Sequence, residues 1–76
     1  MNVVLYSRKG CHLCEVADQL LRSHGLRPEI VDIDSDPQLR ERYDVSIPVV
    51  VIDGRERFFG RVDPVLLKRL LEHGNP

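Results

Sequence analysis

Leu5-Tyr6-Ser7-Arg8-Lys9-Gly10-Cys11-His12-Leu13-Cys14 sets two cysteines three positions apart, between an apolar run and an amphipathic one. The run from about Asn2 to Tyr6 is short, apolar and β-branched, as expected of a strand buried on both faces. Ser7 to Gly10 interrupts it. From Cys11 onward Leu13, Val16, Ala17, Leu20 and Leu21 recur at helical spacing opposite Glu15, Asp18, Gln19 and Arg22, until Gly25 supplies a stop. A sulfur at the first residue of such a helix meets unpaired backbone N–H groups and the positive end of the macrodipole, which favour thiolate over thiol. Cys11 is therefore the expected nucleophile. Cys14, one turn on, shares its face and can close a disulfide with it, so it is the expected resolving thiol.

Working outward, a second strand is predicted from about Glu29 to Asp34, and the helix between it and the first makes a parallel βαβ unit. Ser35-Asp36-Pro37-Gln38 starts a short helix, either with Ser35 as cap or with Asp36 as cap and Pro37 in the first helical position. Leu39 and Tyr43 are its inward candidates, and it ends near Asp44. An apolar strand follows from about Ile47 to Ile52. Asp53-Gly54 then signals a two-residue hairpin, returning residues from about Arg55 to Phe59 antiparallel. Asp63-Pro64 opens a last helix with the stripe Leu66, Leu67, Leu70 and Leu71, closed by Gly74. The predicted class is α/β, in the order βαβαββα, as a single domain over residues 1–76.

A chain of 76 residues builds one core and is short of the size at which stability comes easily, so a disulfide staple is a natural alternative use of two cysteines. Loop entropy argues against it. A four-residue ring contributes roughly 2 kcal/mol by chain entropy, against roughly 3 for a fifteen-residue loop. The net charge of -1 carries no electrostatic footprint for nucleic acid or a membrane surface. No apolar stretch approaches the roughly 20 residues that span a bilayer, and no secretory signal precedes the first strand. A cytoplasmic location is the expectation, where paired cysteines are more often catalytic than structural. Arg8 and Lys9 precede Cys11 while Glu29, Asp32, Asp34 and Asp36 crowd the middle of the chain, which would put positive potential beside the thiols. A protonated His12 would favour thiolate in the same way.

Metal chemistry fits less well. Zinc needs about four ligands, and besides the cysteines only His12, His24 and His73 are available. His24 lies nearly 20 Å along the helix from Cys11 at about 1.5 Å per residue. Haem attachment needs histidine after the second cysteine, and Glu15 stands there.

The order of elements, with the cysteine pair at the first strand-to-helix junction, resembles the thioredoxin fold, a four-stranded mixed sheet with three helices. Within it the sequence is similar to glutaredoxins, and most to the small bacterial glutaredoxin-like proteins. The likeness rests on the opening decapeptide together with Asp32-Ile33-Asp34, Tyr43, Ile47-Pro48-Val49, Asp53-Gly54 and the Gly60 to Asp63 segment. It implies a dithiol oxidoreductase acting by thiol-disulfide exchange, with Cys11 attacking and Cys14 resolving. It also implies a cis Pro48 that, with the backbone of Ile47, forms an open edge for a substrate peptide. Arg8 would help hold a glutathione carboxylate and Asp63 the γ-glutamyl end.

Two departures bear on those implications. Proline is missing between the cysteines, and Arg61 and Val62 replace small residues that admit glutathione, so weak glutathione use is expected. The resemblance implies no bound cofactor or metal. It implies disulfide-bearing proteins or low-molecular-weight thiols as substrates, glutathione or a thioredoxin reductase as donor, and a monomer. A non-catalytic redox-responsive binding module and an iron-sulfur carrier dimerised through Cys11 are the alternatives on the same fold.

Overall fold

The computed structural model describes residues 1–72. Strand β1 (Val3–Ser7) leads into helix α1 (His12–Ser23), strand β2 (Glu29–Asp32) and a 3₁₀ turn at Ile33–Ser35. Helix α2 (Pro37–Tyr43), the hairpin of β3 (Val49–Ile52) and β4 (Arg55–Phe59), and helix α3 (Pro64–Glu72) complete the order expected from the sequence. The stop expected at Gly74, and His73, lie outside the described residues.

The strands lie in the order β2-β1-β3-β4. β1 and β2 are parallel, as a helical crossover requires, whereas β1–β3 and β3–β4 are antiparallel. Period-two alternation sorts the side chains. Val3, Leu5, Val50, Ile52 and Phe58 pack against Ala17 and Leu21 of α1 and Leu67 of α3 on one face. Val49, with Tyr6 and Ile47, packs against Ile33, Leu39 and Tyr43 on the other. Helices therefore cover both faces, and complete burial of Leu21 and Leu67 stabilises by about 1.5 to 3 kcal/mol each.

Local signals set most of the boundaries. α1 ends in a Schellman motif: the Gly25 N–H donates to the Arg22 carbonyl at 2.9 Å and Leu26 N–H to the Leu21 carbonyl at 3.2 Å, with Gly25 at φ 82°. Of the two caps open to α2, Asp36 serves, its carboxylate accepting from Gln38 N–H at 2.9 Å with Pro37 behind it. Asp53 and Gly54 both take positive φ, at 50° and 83°, as a type I′ hairpin needs.

Three expectations need correction. β2 stops at Asp32 rather than Asp34, because the Asp32 carboxylate accepts from Asp34 N–H at 2.9 Å and its carbonyl from the Ser35 hydroxyl at 2.6 Å. Those local bonds curl the backbone out of the ladder. β3 begins at Val49 rather than Ile47, since Pro48 has no N–H to offer the sheet. Leu13 and Val16 of the α1 stripe, and Leu66 of the α3 stripe, remain about half exposed instead of entering the core.

Candidate active site

The register Tyr6↔Val49 brings the end of β1, from which the cysteine turn departs, beside the start of β3, into which Ile47-Pro48 leads. Both loops thus emerge at one end of the sheet. Gly10, at φ 77°, bends the first loop in a conformation that side chains rarely adopt, and Cys11 N–H closes the turn on the Arg8 carbonyl at 3.3 Å.

Cys11 is the N-cap of α1, in extended conformation, and its Sγ accepts a hydrogen bond from Cys14 N–H at 3.1 Å. Its carbonyl begins the helical ladder by accepting from Glu15 N–H. The two cysteines are joined as a disulfide with Cα atoms 5.2 Å apart. Cys11 is part-exposed, whereas Cys14 is only 4% exposed. Cys11 is thus the more accessible of the two sulfurs, and helix N–H groups favour negative charge at its position.

The Ile47-Pro48 bond is cis, as the resemblance implied. Pro48 is buried and Ile47 part-buried against the second cluster. Gly60 N–H, at φ 74°, is shared between the carbonyls of Ser46 and Pro48, each at 2.8 Å. That bifurcated bond fastens the proline loop to the segment before α3.

Arg8 is engaged by acids from two other segments. Its Nε and Nη2 fork onto Asp34 at 3.1 and 2.9 Å, and Nη2 also donates to Asp44 Oδ1 at 2.7 Å. Nη1 donates to the Asp44 carbonyl at 3.3 Å. The hydrogen bonds that Arg8 donates to Asp34 and Asp44 raise its pKa above the already high ordinary value, and the bond accepted from Arg8 lowers that of Asp34. Lys9 and His12 are exposed.

A groove of about 520 Å³ opens between α1 and the segment leading into α3, lined by His12, Leu13, Val16, Gly60, Arg61 and Val62. The half-exposed leucine and valine of α1 are its wall. Val62 is only 6% exposed and belongs to the main core, while Arg61 is exposed at the rim. Asp63 caps α3, its carboxylate accepting from Val65 N–H at 2.8 Å and Leu66 N–H at 3.3 Å. Among the described residues no three His, Cys, Asp or Glu side chains gather as a metal-binding set.

Beneath the proline loop the Tyr6 and Tyr43 rings stack with centroids 4.8 Å apart. The Tyr43 hydroxyl donates a hydrogen bond to Glu56, and Arg42 lies over the Tyr43 ring at 5.3 Å. Burial, then the Glu56 carboxylate, push the Tyr43 phenol up to about 12.

A family model, Glutaredoxin-like domain (DUF836), matches residues 2–72. The chain belongs to this glutaredoxin-like family. An uncharacterized protein of Mycobacterium tuberculosis is 39% identical, over 82% of this chain and 73% of its own. The X-ray structure of a structural-genomics target protein from X. campestris is 31% identical, covers 95% of this chain and 97% of its own, and superposes with a TM-score of 0.81. The glutaredoxin-like protein NrdH-redoxin from Escherichia coli covers all of both chains with a TM-score of 0.72 at 24% identity, which speaks for the shared thioredoxin-like fold alone. The glutaredoxin-like chain thus carries its Cys11-Cys14 pair near the N-terminus, an arrangement consistent with redox activity. No helix among its described residues is long and apolar enough to cross a membrane.

Of the residues singled out from the sequence, Cys11 and Cys14 meet in one disulfide, and Ile47 and Pro48 come to the same end of the sheet. Arg8 stands beside the cysteine turn but points its charge at Asp34 and Asp44, and Asp63 is occupied as a helix cap. Sequence reasoning missed Asp44 and the Gly60 amide. The acidic crowding around Asp34 was visible, but no spacing rule links a residue to partners 26 and 36 positions away.

Proposed function

We propose that this protein is a dithiol thiol-disulfide oxidoreductase. The observation that carries the proposal is the hydrogen bond from Cys14 N–H to the Cys11 sulfur at the start of α1, with Cys11 part-exposed and Cys14 buried behind it. In the reducing direction the Cys11 thiolate attacks one sulfur of a substrate disulfide, forming a mixed disulfide and releasing one substrate thiolate. Cys14 then loses its proton to solvent and attacks Cys11. The second substrate thiolate leaves, so that two electrons pass from the protein to the substrate and the Cys11-Cys14 disulfide remains.

Ile47 and Pro48 offer the docking edge, where a proline without an N–H leaves neighbouring backbone groups for a substrate strand. The half-exposed Leu13 and Val16, on the helix that Cys11 caps, suit protein disulfides as substrates. Asp63, by holding the start of α3, shapes the far side of the groove. Glutathione or a thioredoxin reductase supplies the electrons, with glutathione the weaker donor because Arg61 stands at the groove rim. The working compartment is the cytoplasm, where reductants keep such pairs cycling.

The test is turnover. Catalytic amounts of protein are given bis(2-hydroxyethyl) disulfide with NADPH and either glutathione plus glutathione reductase or thioredoxin reductase, and NADPH oxidation is followed. Many turnovers per protein, abolished by Cys11→Ser, are expected. A single stoichiometric reaction with both donors would make the pair a switch rather than a catalyst.

A further inference from the structure

Arg8 ties together both halves of the site. Its carbonyl receives the N–H of Cys11, and its guanidinium grips Asp44, the residue from which the chain runs through Val45 and Ser46 to Ile47-Pro48. The same guanidinium forks onto Asp34 in the 3₁₀ turn. A guanidinium has five N–H bonds in a rigid plane. Four donations are made to Asp34 and Asp44, leaving a single Nη1 hydrogen and no pair of parallel N–H groups with which to fork a substrate carboxylate. Two carboxylates thus share the Arg8 guanidinium, and Arg40 also acts on Asp34. An anionic thiol approaching Arg8 meets acids that are already in place.

We propose, building on the thiol-disulfide exchange assigned above, that Arg8 is a positioning residue that braces the cysteine turn against the approach to Pro48, and is not an anion receptor. Its loss moves the attacking sulfur relative to the docking edge, which slows exchange with every substrate whatever its charge. Asp44 and Asp34 are parts of the same brace. The substrate class that follows is uncharged and protein disulfides, served without help from a carboxylate.

The experiment uses the pre-reduced full chain and three symmetrical disulfides of similar size: bis(2-hydroxyethyl) disulfide, which is neutral, cystamine, a dication, and 3,3′-dithiodipropionate, a dianion. Reactions are quenched with acid and read by mass at about 0.15 M salt, where exposed charges more than about 8 Å apart are largely screened. Arg8→Ala is expected to slow all three by a common factor on the order of 10, given how steeply rate falls with misplacement of reacting groups. Asp44→Asn and Asp34→Asn should slow all three as well, and Arg8→Ala combined with Asp44→Asn should be no slower than the worse single variant. Alkylation of Cys11 by iodoacetamide, which needs no docking edge, should stay within about twofold of the parent in each variant, which general unfolding would not allow.

The opposite pattern overturns the proposal: Arg8→Ala slowing the dianion alone, or Asp44→Asn accelerating it, marks Arg8 as an anion receptor. If Arg8→Ala does not fold, the sign of the Asp44→Asn effect decides. Failure of the parent to react with any of the three disulfides would instead remove the exchange function itself.

Discussion

The backbone N–H of Cys14 points at the sulfur of Cys11 from 3.1 Å, so the second cysteine's own amide caps the first. The bond becomes charge-assisted when the disulfide is reduced and Cys11 ionises, and charge-assisted bonds are roughly twice as strong as neutral ones. Cys14 is enclosed and lies one turn further from the helix start. Cys11 should therefore alkylate at neutral pH at least about 10-fold faster than Cys14. Iodoacetamide labelling of reduced protein, read by peptide mass, checks this. Cys14→Ser should accumulate a mixed disulfide on Cys11, and a stable adduct on Cys14 in Cys11→Ser would reverse the two roles.

Tyr43 predicts the alkaline limit of stability. Its phenol is raised from 10.0 to about 12 in the fold, first by burial and then by the Glu56 carboxylate it bonds. A group that holds its proton more tightly when folded stabilises below its unfolded pKa and loses that contribution as pH rises through the folded one. Stability should fall between pH 10 and about 12, and a tyrosine ionisation with a midpoint near 12 should appear in the 295 nm absorbance. Tyr43→Phe should remove that ionisation and cost on the order of 1 kcal/mol by denaturant unfolding, because Glu56 loses one of its two donors and keeps Arg42. At the acid end the sign reverses: Asp34, lowered by Arg8, stabilises above its usual carboxylate range and gives this up as pH falls through its lowered value. Asp34→Asn should flatten the acid limb.

Gly60 joins stability to function. Space for a methyl group exists at its Cα, but φ is 74°, where a side chain costs about 1 to 2 kcal/mol. Gly60→Ala should lower the melting temperature by roughly 4 to 8 °C per kcal/mol in a domain of this size. It should also slow exchange with protein disulfides, since the displaced amide is the one shared by the Ser46 and Pro48 carbonyls. A variant that melts earlier but turns over insulin disulfides at the parent rate would detach the Gly60 bond from substrate docking.

The order of elements was written in local patterns: Cys11 followed by a 3.6-residue apolar period, Gly25 where α1 must stop, Asp36-Pro37 where α2 must start, and Asp53-Gly54 where β3 must turn. Each is decided by torsions and hydrogen bonds within a few residues, so the sequence alone suffices. The same locality made Cys11 legible as the exposed sulfur at a helix start. Only the tertiary structure decided where the charge of Arg8 is spent, because its partners arrive from the 3₁₀ turn after β2 and from the end of α2. It likewise decided that Leu13 and Val16 wall a groove while Ala17 and Leu21 enter the core, and that β4 bulges where Val50 pairs Phe58 but Val51 pairs Glu56. Periodicity tells which residues share a face. What that face meets, and which acid is near enough to claim a guanidinium, is settled by the packing of segments distant in sequence, whose energies no local pattern contains.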